Sequence, residues 1–310
     1  VRVLELFAGI GGCSAALSDA AEIAAAIDIN RQALAIYSRN FPHPTAIRTI
    51  ESLPAVEFGR WDADLWWLSP PCQPYTVRGH RRDIDDPRAA GLLSVIRALD
   101  AVRPRYVAVE NVPGFEGSRA RDMLIDTLDR GGYAVRETLL CPTQLGVPNR
   151  RRRYYLVAAR GDLRPWVALP LDRRPEFSLA EILDADPRSD LSVSSELIDA
   201  YQGAVHVVDP ADSAASSCCF TSAYGKSIAC SGSFLKCGER YRRFSPGEIL
   251  RLLCFPAEFQ LPHAAPRRLW PLVGNSLSVA AVRYILSAVP ELEHVARFVG
   301  NGRFGKTESR

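Results

Sequence analysis

Lysine is nearly missing from this 310-residue chain: of 38 basic residues only Lys226, Lys236 and Lys306 are lysines, and the rest are arginines. Codon bias in a GC-rich genome accounts for that as well as function does. Long apolar runs are also missing. No stretch approaches the roughly 18–20 residues that a helix needs to cross a bilayer, and no leader pattern precedes the strand-like opening Val1–Leu6. A cytoplasmic protein, or a nuclear one in a eukaryote, is expected, with no membrane partner. The eight cysteines include no Cys-x-x-Cys pair and no zinc-like spacing with histidine. They read as reduced thiols, not as a disulfide framework, and no metal is expected. Neither common phosphate-binding glycine loop, GxGxxG or GxxxxGK[ST], follows the first strand. The formal charge of +3 is too small to declare a nucleic-acid partner by itself. No internal repeat is found.

What is present is an alternation of strand-like and helix-like segments through the first half. Val1–Leu6, Ile23–Ile27, Leu65–Leu68, 106–109, Tyr133–Leu140 and Tyr154–Ala159 read as strands, with helical segments at Ser14–Ala21, Ala33–Tyr37, Gly91–Val102 and Met123–Arg130. This predicts an α/β fold, a doubly wound sheet covered by helices. From about Pro165 the pattern loosens into an irregular smaller lobe. A Ser-Pro helix start at Ser245, with Glu248 at the third position, restores order. The expected division is a core over 1–164, a lobe over 165–271, a helix over 272–296 that completes the core, and a mobile tail over 297–310. Arginines cluster at Arg78–Arg82 (with His80), at Arg150–Arg153, and at Arg240, Arg242 and Arg243. For any one cluster a solvated face is the better expectation.

Three segments carry chemistry. Phe7-Ala8-Gly9-Ile10-Gly11-Gly12 follows the first strand, where glycines permit a tight turn and close approach to a ligand. Asp28 ends the second strand, a position from which an acid binds ribose hydroxyls. A nucleoside cofactor without a pyrophosphate, such as S-adenosylmethionine, suits this crevice. Ser69-Pro70-Pro71-Cys72-Gln73-Pro74 places a cysteine in a loop stiffened by prolines just past a buried strand. Glu110-Asn111-Val112 ends another strand, and a carboxylate there suggests acid/base work. Arg151–Tyr155 reads as extended, so Arg151 and Arg153 share one face and Arg150 and Arg152 the other.

The ordered series FAGIGG, SPPCQP, ENVPGF, NRRRR and Gly274-Asn275-Ser276-Leu277 resembles that of the cytosine-5 methyltransferases over almost the whole chain. The resemblance implies a Rossmann-like, S-adenosylmethionine-dependent methyltransferase core with a small irregular target-recognition lobe. It implies Cys72 as the nucleophile at carbon 6 of cytosine, and Glu110 at ring nitrogen 3 and the exocyclic amine. Arg153 would meet the carbonyl oxygen and Arg151 would steady the site. Phe7, Ile10, Gly11, Gly12, Asp28, Ile29, Ile50 and Ser276 match cofactor-pocket positions, and Asn111 would orient the Cys72 loop. Arg151 and Arg153 would supply an electropositive field to the thiol.

Cys218-Cys219-Phe220-Thr221, followed by Tyr224-Gly225 and the turn Ser231-Gly232-Ser233, is similar to the branch that methylates the anticodon loop of tRNA for aspartate. Phe244–Ile249, Phe255-Pro256 and Glu258-Phe259 extend the likeness, whereas Lys226–Ser231 departs from that branch's Gly-Thr-Gly-type turn. The Cys-Phe-Thr run is either a substrate contact or a packing motif. A tRNA substrate is expected ahead of duplex DNA, since loops offer bases that are already unstacked. A monomer is expected.

Overall fold

Mainly apolar runs such as Val3–Leu6 and Leu65–Leu68 suit strands in the middle of a covered sheet, and there they fold, buried on both faces. The computed structural model describes residues 1–76, 82–170 and 173–299. Arg78, His80, Arg81 and the tail from residue 300 lie outside the described residues. In chain order the first elements are β1 (Arg2–Leu6), α1 (Gly12–Leu17), β2 (Glu22–Asp28), α2 (Arg31–Asn40), β3 (Thr45–Ile47), α3 (Ala55–Gly59), β4 (Leu65–Leu68), α4 (Ala90–Val102), β5 (Tyr106–Asn111) and α5 (Arg119–Arg130). Then come β6 (Ala134–Leu140), β7 (Asn149–Arg150), β8 (Arg153–Ala159), β9 (Ser192–Val193), α6 (Ser195–Ala200), β10 (His206–Val208) and β11 (Ser217–Cys218). The chain closes with β12 (Ser233–Cys237), β13 (Arg240–Arg243), α7 (Pro246–Leu252), α8 (Pro266–Gly274) and α9 (Val279–Leu286).

These elements form two compact units. The first comprises Val1–Leu140, Arg152–Val167 and the chain from Val282; the second comprises Cys141–Arg151 and Ala168–Ala281. Cys141–Arg151 and residues 272–281, expected in the core, thus group with the lobe. The reason is polar: the Asn149 amide donates to Ser217 Oγ at 2.8 Å, and the Arg151 guanidinium donates to the carbonyls of Phe220 and Gly274.

The first unit is built on a seven-stranded sheet of order β3-β2-β1-β4-β5-β8-β6. β3 through β5 run parallel, while β8 is antiparallel to both β5 and β6. The sheet is therefore mixed. No helix separates β6 from β8, so this part needs no right-handed crossover. The chain winds outward from β1 to β3 and returns to β4 beside β1, with Leu6 opposite Leu68. The loops after β1 and β4 consequently start side by side, and Ser69 N donates to Leu6 O at 3.3 Å. That is the switch point at which open α/β sheets bind ligands. Beneath it lies a core that includes Phe58, Trp66, Leu68, Val107, Phe115 and Leu156. Arg283 in α9 donates to the carbonyls of Ala16 at 3.0 Å and Ala15 at 3.4 Å. A cation there satisfies the open carboxyl end of α1, a helix of only six residues.

The second unit contains a four-stranded sheet of order β10-β12-β13-β9 and a short parallel pair, β11 with β7. Sequence reading treated this region as irregular. Ser245 caps α7 as expected, accepting from Glu248 N, while Glu248 accepts from Ser245 N at 2.7 Å. Glu248 is also fully buried and grips Arg242 through two bonds of 2.7 and 2.8 Å. Arg243 lies over the rings of Phe234 and Trp270. Two arginines of the third basic cluster are thus interior parts of the lobe. The 21-residue stretch Pro266–Leu286 is long and apolar enough to cross a membrane, contrary to the sequence reading, but 72% of its most apolar window is buried within the protein. Burial at that level marks a core segment.

Candidate active site

The turn after β1 is held in a conformation that side chains resist. Phe7, Gly9 and Gly11 have φ of 57°, 56° and 92°. A Cβ on Gly11 would lie 2.6 Å from the Phe41 ring and 2.9 Å from the Tyr37 ring, so glycine is required twice over. A Cβ on Gly9 would meet nothing within 4 Å, which leaves open space against bare backbone. Asp28, at the end of β2, accepts from Gly9 N and Asn30 N, both at 2.7 Å. Burial raises its pKa, and those amide bonds oppose the rise. Beside it Ile29 is 65% exposed, an apolar side chain facing outward. Ile10, Gly11, Gly12 and Ile50 are buried, so Ile10 and Ile50 pack within the unit.

Below this turn lies Glu5, a fully buried acid that the sequence reading did not single out. It accepts from Cys13 N, Ser14 Oγ and Tyr37 Oη, and Tyr37 Oη also meets His43 Nδ1 at 3.1 Å. Burial pushes its pKa up from 4.5 to about 7 against the pull of those donors. Between these values the folded chain holds a proton that the unfolded chain has released, so stability falls as pH rises from 4.5 to 7 and levels off above. Replacement by glutamine, Glu5→Gln, is expected to remove about 3 kcal/mol of that pH dependence. Urea unfolding of both proteins at about pH 5 and pH 8 measures it; parallel curves would dismiss Glu5 as the source.

The Cys72 loop is fixed from below. Asn111 Nδ2 donates to Pro70 O at 3.3 Å, in the orienting position expected of it. A Cβ on Gly114 would stand 2.2 Å from Tyr75 O, so ENVPGF packs on this loop with no room for a side chain. Tyr75 meets Phe115 edge to face at 4.9 Å. Cys72 is half-buried, whereas Cys13 is fully buried. At the end of the next strand Glu110 is 8% exposed, and its Oε1 lies 3.2 Å from Arg153 Nε. The register that pairs Glu110 with Tyr155 across β5 and β8 brings them together. The first unit therefore places a thiol and a carboxylate past the carboxyl ends of parallel β4 and β5, with a guanidinium at the amino end of antiparallel β8 beside that carboxylate.

Arg151 and Ser276 lie in the second unit. The Arg151 guanidinium donates to the carbonyls of Phe220, Gly274 and Ser276 and to Cys219 Sγ at 3.3 Å. It is 4% exposed. Exposure alternates along this stretch as expected, with Arg150 and Arg152 facing solvent. Phe220 packs edge to face on Tyr224 and Phe244, and Gly225 leaves no space for a Cβ beneath Trp270. The Cys-Phe-Thr run is thus a packing motif of the lobe. Ser276 Oγ is buried without a hydrogen-bond partner among the described residues, as a hydroxyl meant for a ligand would be. Glu5 was signalled by a lone charge inside an apolar strand, and Gly114 by its place in ENVPGF.

Comparison with known proteins agrees with this geometry. The family described as C-5 cytosine-specific DNA methylase matches residues 1–195 and 188–291. The chain is 33% identical to the tRNA (cytosine(38)-C(5))-methyltransferase of Spodoptera frugiperda, over 94% of this chain and 99% of that protein. It is 29% identical to a DNA (cytosine-5)-methyltransferase of Dictyostelium discoideum, over 93% and 94%. The crystal structure of the Schizosaccharomyces pombe Dnmt2 methyltransferase matches with a TM-score of 0.81 at 30% identity, over 95% of this chain and 98% of that one.

Proposed function

The chain belongs to the C-5 cytosine-specific methylase family, a family of S-adenosylmethionine-dependent enzymes, and from that premise we propose that its substrate is a cytosine in the anticodon loop of a tRNA. The observation that carries this reading is the likeness to a tRNA (cytosine(38)-C(5))-methyltransferase along nearly the full length of both chains. The favoured position is accordingly cytosine 38.

Carbon 5 of cytosine is a poor nucleophile. In the proposed reaction the Cys72 thiolate adds to carbon 6, the S–C bond forms, and the displaced ring electrons make carbon 5 nucleophilic. Glu110 faces ring nitrogen 3 and the exocyclic amine, while Arg153 donates to the carbonyl oxygen; their 3.2 Å pairing holds both groups ready for the ring. Loss of the proton from carbon 5 to water and cleavage of the S–C bond then restore the aromatic base and release the Cys72 thiolate. S-adenosylmethionine supplies the electrophilic methyl group when bound. The residues present in the first unit fit it: open space at Gly9, the anchored carboxylate of Asp28 and the exposed Ile29.

Incubation with methyl-labelled S-adenosylmethionine and either total tRNA or duplex DNA tests the reading. Label is expected in tRNA, and bisulfite mapping is expected to place it in the anticodon loop. Label found mainly in duplex DNA would instead support the second reading, a DNA methyltransferase, which the Dictyostelium relative favours.

A further inference from the structure

A cysteine thiol of pKa about 8.5 is mostly protonated at neutral pH, and a nearby fixed cation is the usual remedy. The expected sources were Arg151 and Arg153. Arg151 is committed to carbonyls of the second unit and Arg153 pairs with Glu110. Another arginine stands beside the nucleophile's own loop. The turn Pro87–Ala89 packs against the turn Gln73–Tyr75, which Cys72 begins and whose Tyr75 N donates to Cys72 O at 2.9 Å. Asp86, 6% exposed, accepts from Arg88 N at 3.0 Å. It also holds the Arg88 guanidinium in a fork, through Nε at 2.9 Å and Nη2 at 2.7 Å. Nη1 stays outside that fork, on a side chain 55% exposed. The charge of Cys72 helps to raise the Arg88 pKa, after the larger effect of Asp86, so thiol and guanidinium feel each other.

We propose that Arg88 is a positioning residue for the transfer: clamped by Asp86, it sets a fixed positive charge beside Cys72 that favours the thiolate. The other ionisable groups around these turns, among the described residues, include Tyr75, Arg82, Asp83 and Asp85, with Glu110 and Arg153 at the neighbouring strand end and Glu51 against Gly91 at the start of α4. Asp83 binds the amides of Arg119 and Ala120 at the start of α5, Asp85 pairs with Arg119, and Glu110 pairs with Arg153. Asp83, Asp85 and Glu110 are thus matched by cations or amides. The inference rests on Cys72 being the nucleophile but not on which nucleic acid it attacks.

Iodoacetamide labelling of the full chain, read by mass spectrometry of the Cys72 peptide from about pH 6 to pH 10, tests it without any nucleic acid. Arg88→Gln is expected to raise the midpoint of labelling by about half to one pH unit. The rate at pH 7 should fall about two- to fourfold, because the more basic thiolate is also the better nucleophile. Arg88→Lys should keep the midpoint near that of the parent. Labelling of the exposed Cys237 should be the same in all three proteins, and label on the buried Cys13 would reveal lost folding. An unchanged midpoint in Arg88→Gln overturns the proposal, as does a lysine variant that shifts like the glutamine one. Should Arg88→Gln fail to fold, Arg88→Met takes its place, with the same rise in midpoint expected and an unchanged midpoint overturning the proposal.

Discussion

Cys72→Ala is expected to lower methyl transfer by at least about 10,000-fold while leaving S-adenosylmethionine binding intact. No other group in the proposed mechanism can form the bond to carbon 6, and without that bond carbon 5 stays inert. The substitution is small and local. Its loop remains pinned by Asn111 to Pro70 O and by the close approach of Gly114 to Tyr75 O, so folding should be unaffected. RNA carrying 5-fluorocytosine gives a second readout, because fluorine at carbon 5 blocks the elimination that frees the enzyme. The parent protein should form a stable adduct on a denaturing gel and the alanine variant none. A variant that still methylates, or a parent that never traps, would remove Cys72 from the chemistry.

Arg151→Met should act on stability first. Methionine keeps most of the volume but none of the donors, leaving the buried carbonyls of Phe220, Gly274 and Ser276 without their shared partner. Each unmatched buried acceptor costs about 1–3 kcal/mol, so with three of them a loss of at least about 3 kcal/mol is expected. The urea midpoint should fall, and limited proteolysis should cut first within 168–281, the main stretch of the second unit. By contrast, a purely catalytic Arg151 would give a variant of parental stability and low turnover, and that outcome would reject the structural account.

Much of the first unit was legible because its signals are local. Glycine- and proline-punctuated ends of short apolar runs located β1, β4 and β5, and the loops that follow them hold the candidate residues. The direction of β8 was not legible. Alternating strands and helices suggested crossovers, whereas Glu110 and Arg153 meet because β8 runs antiparallel to β5. The face-sharing argument for Arg151 and Arg153 assumed an unbroken strand. β8 starts only at Arg153 and β7 ends at Arg150, so strand parity does not extend across the two residues between. The second unit's sheet was missed because its strands have two to five residues and three of the four residues in one of them, Arg240-Tyr241-Arg242-Arg243, are arginine. What fixes that strand is the buried Glu248, six residues past Arg242, which the sequence reading assigned only to the start of α7.

The bond from Arg283 to Ala16 joins residues 267 positions apart. At a synthesis speed of about 5–20 residues per second, the first helix leaves the ribosome roughly 13–53 s before the arginine that finishes it. For that interval the nascent cofactor turn precedes a helix whose end is open to water or to a chaperone. Completion of the sheet-bearing unit must then wait until Arg283 has been made, and a polypeptide cut short ahead of that residue never closes the end of α1.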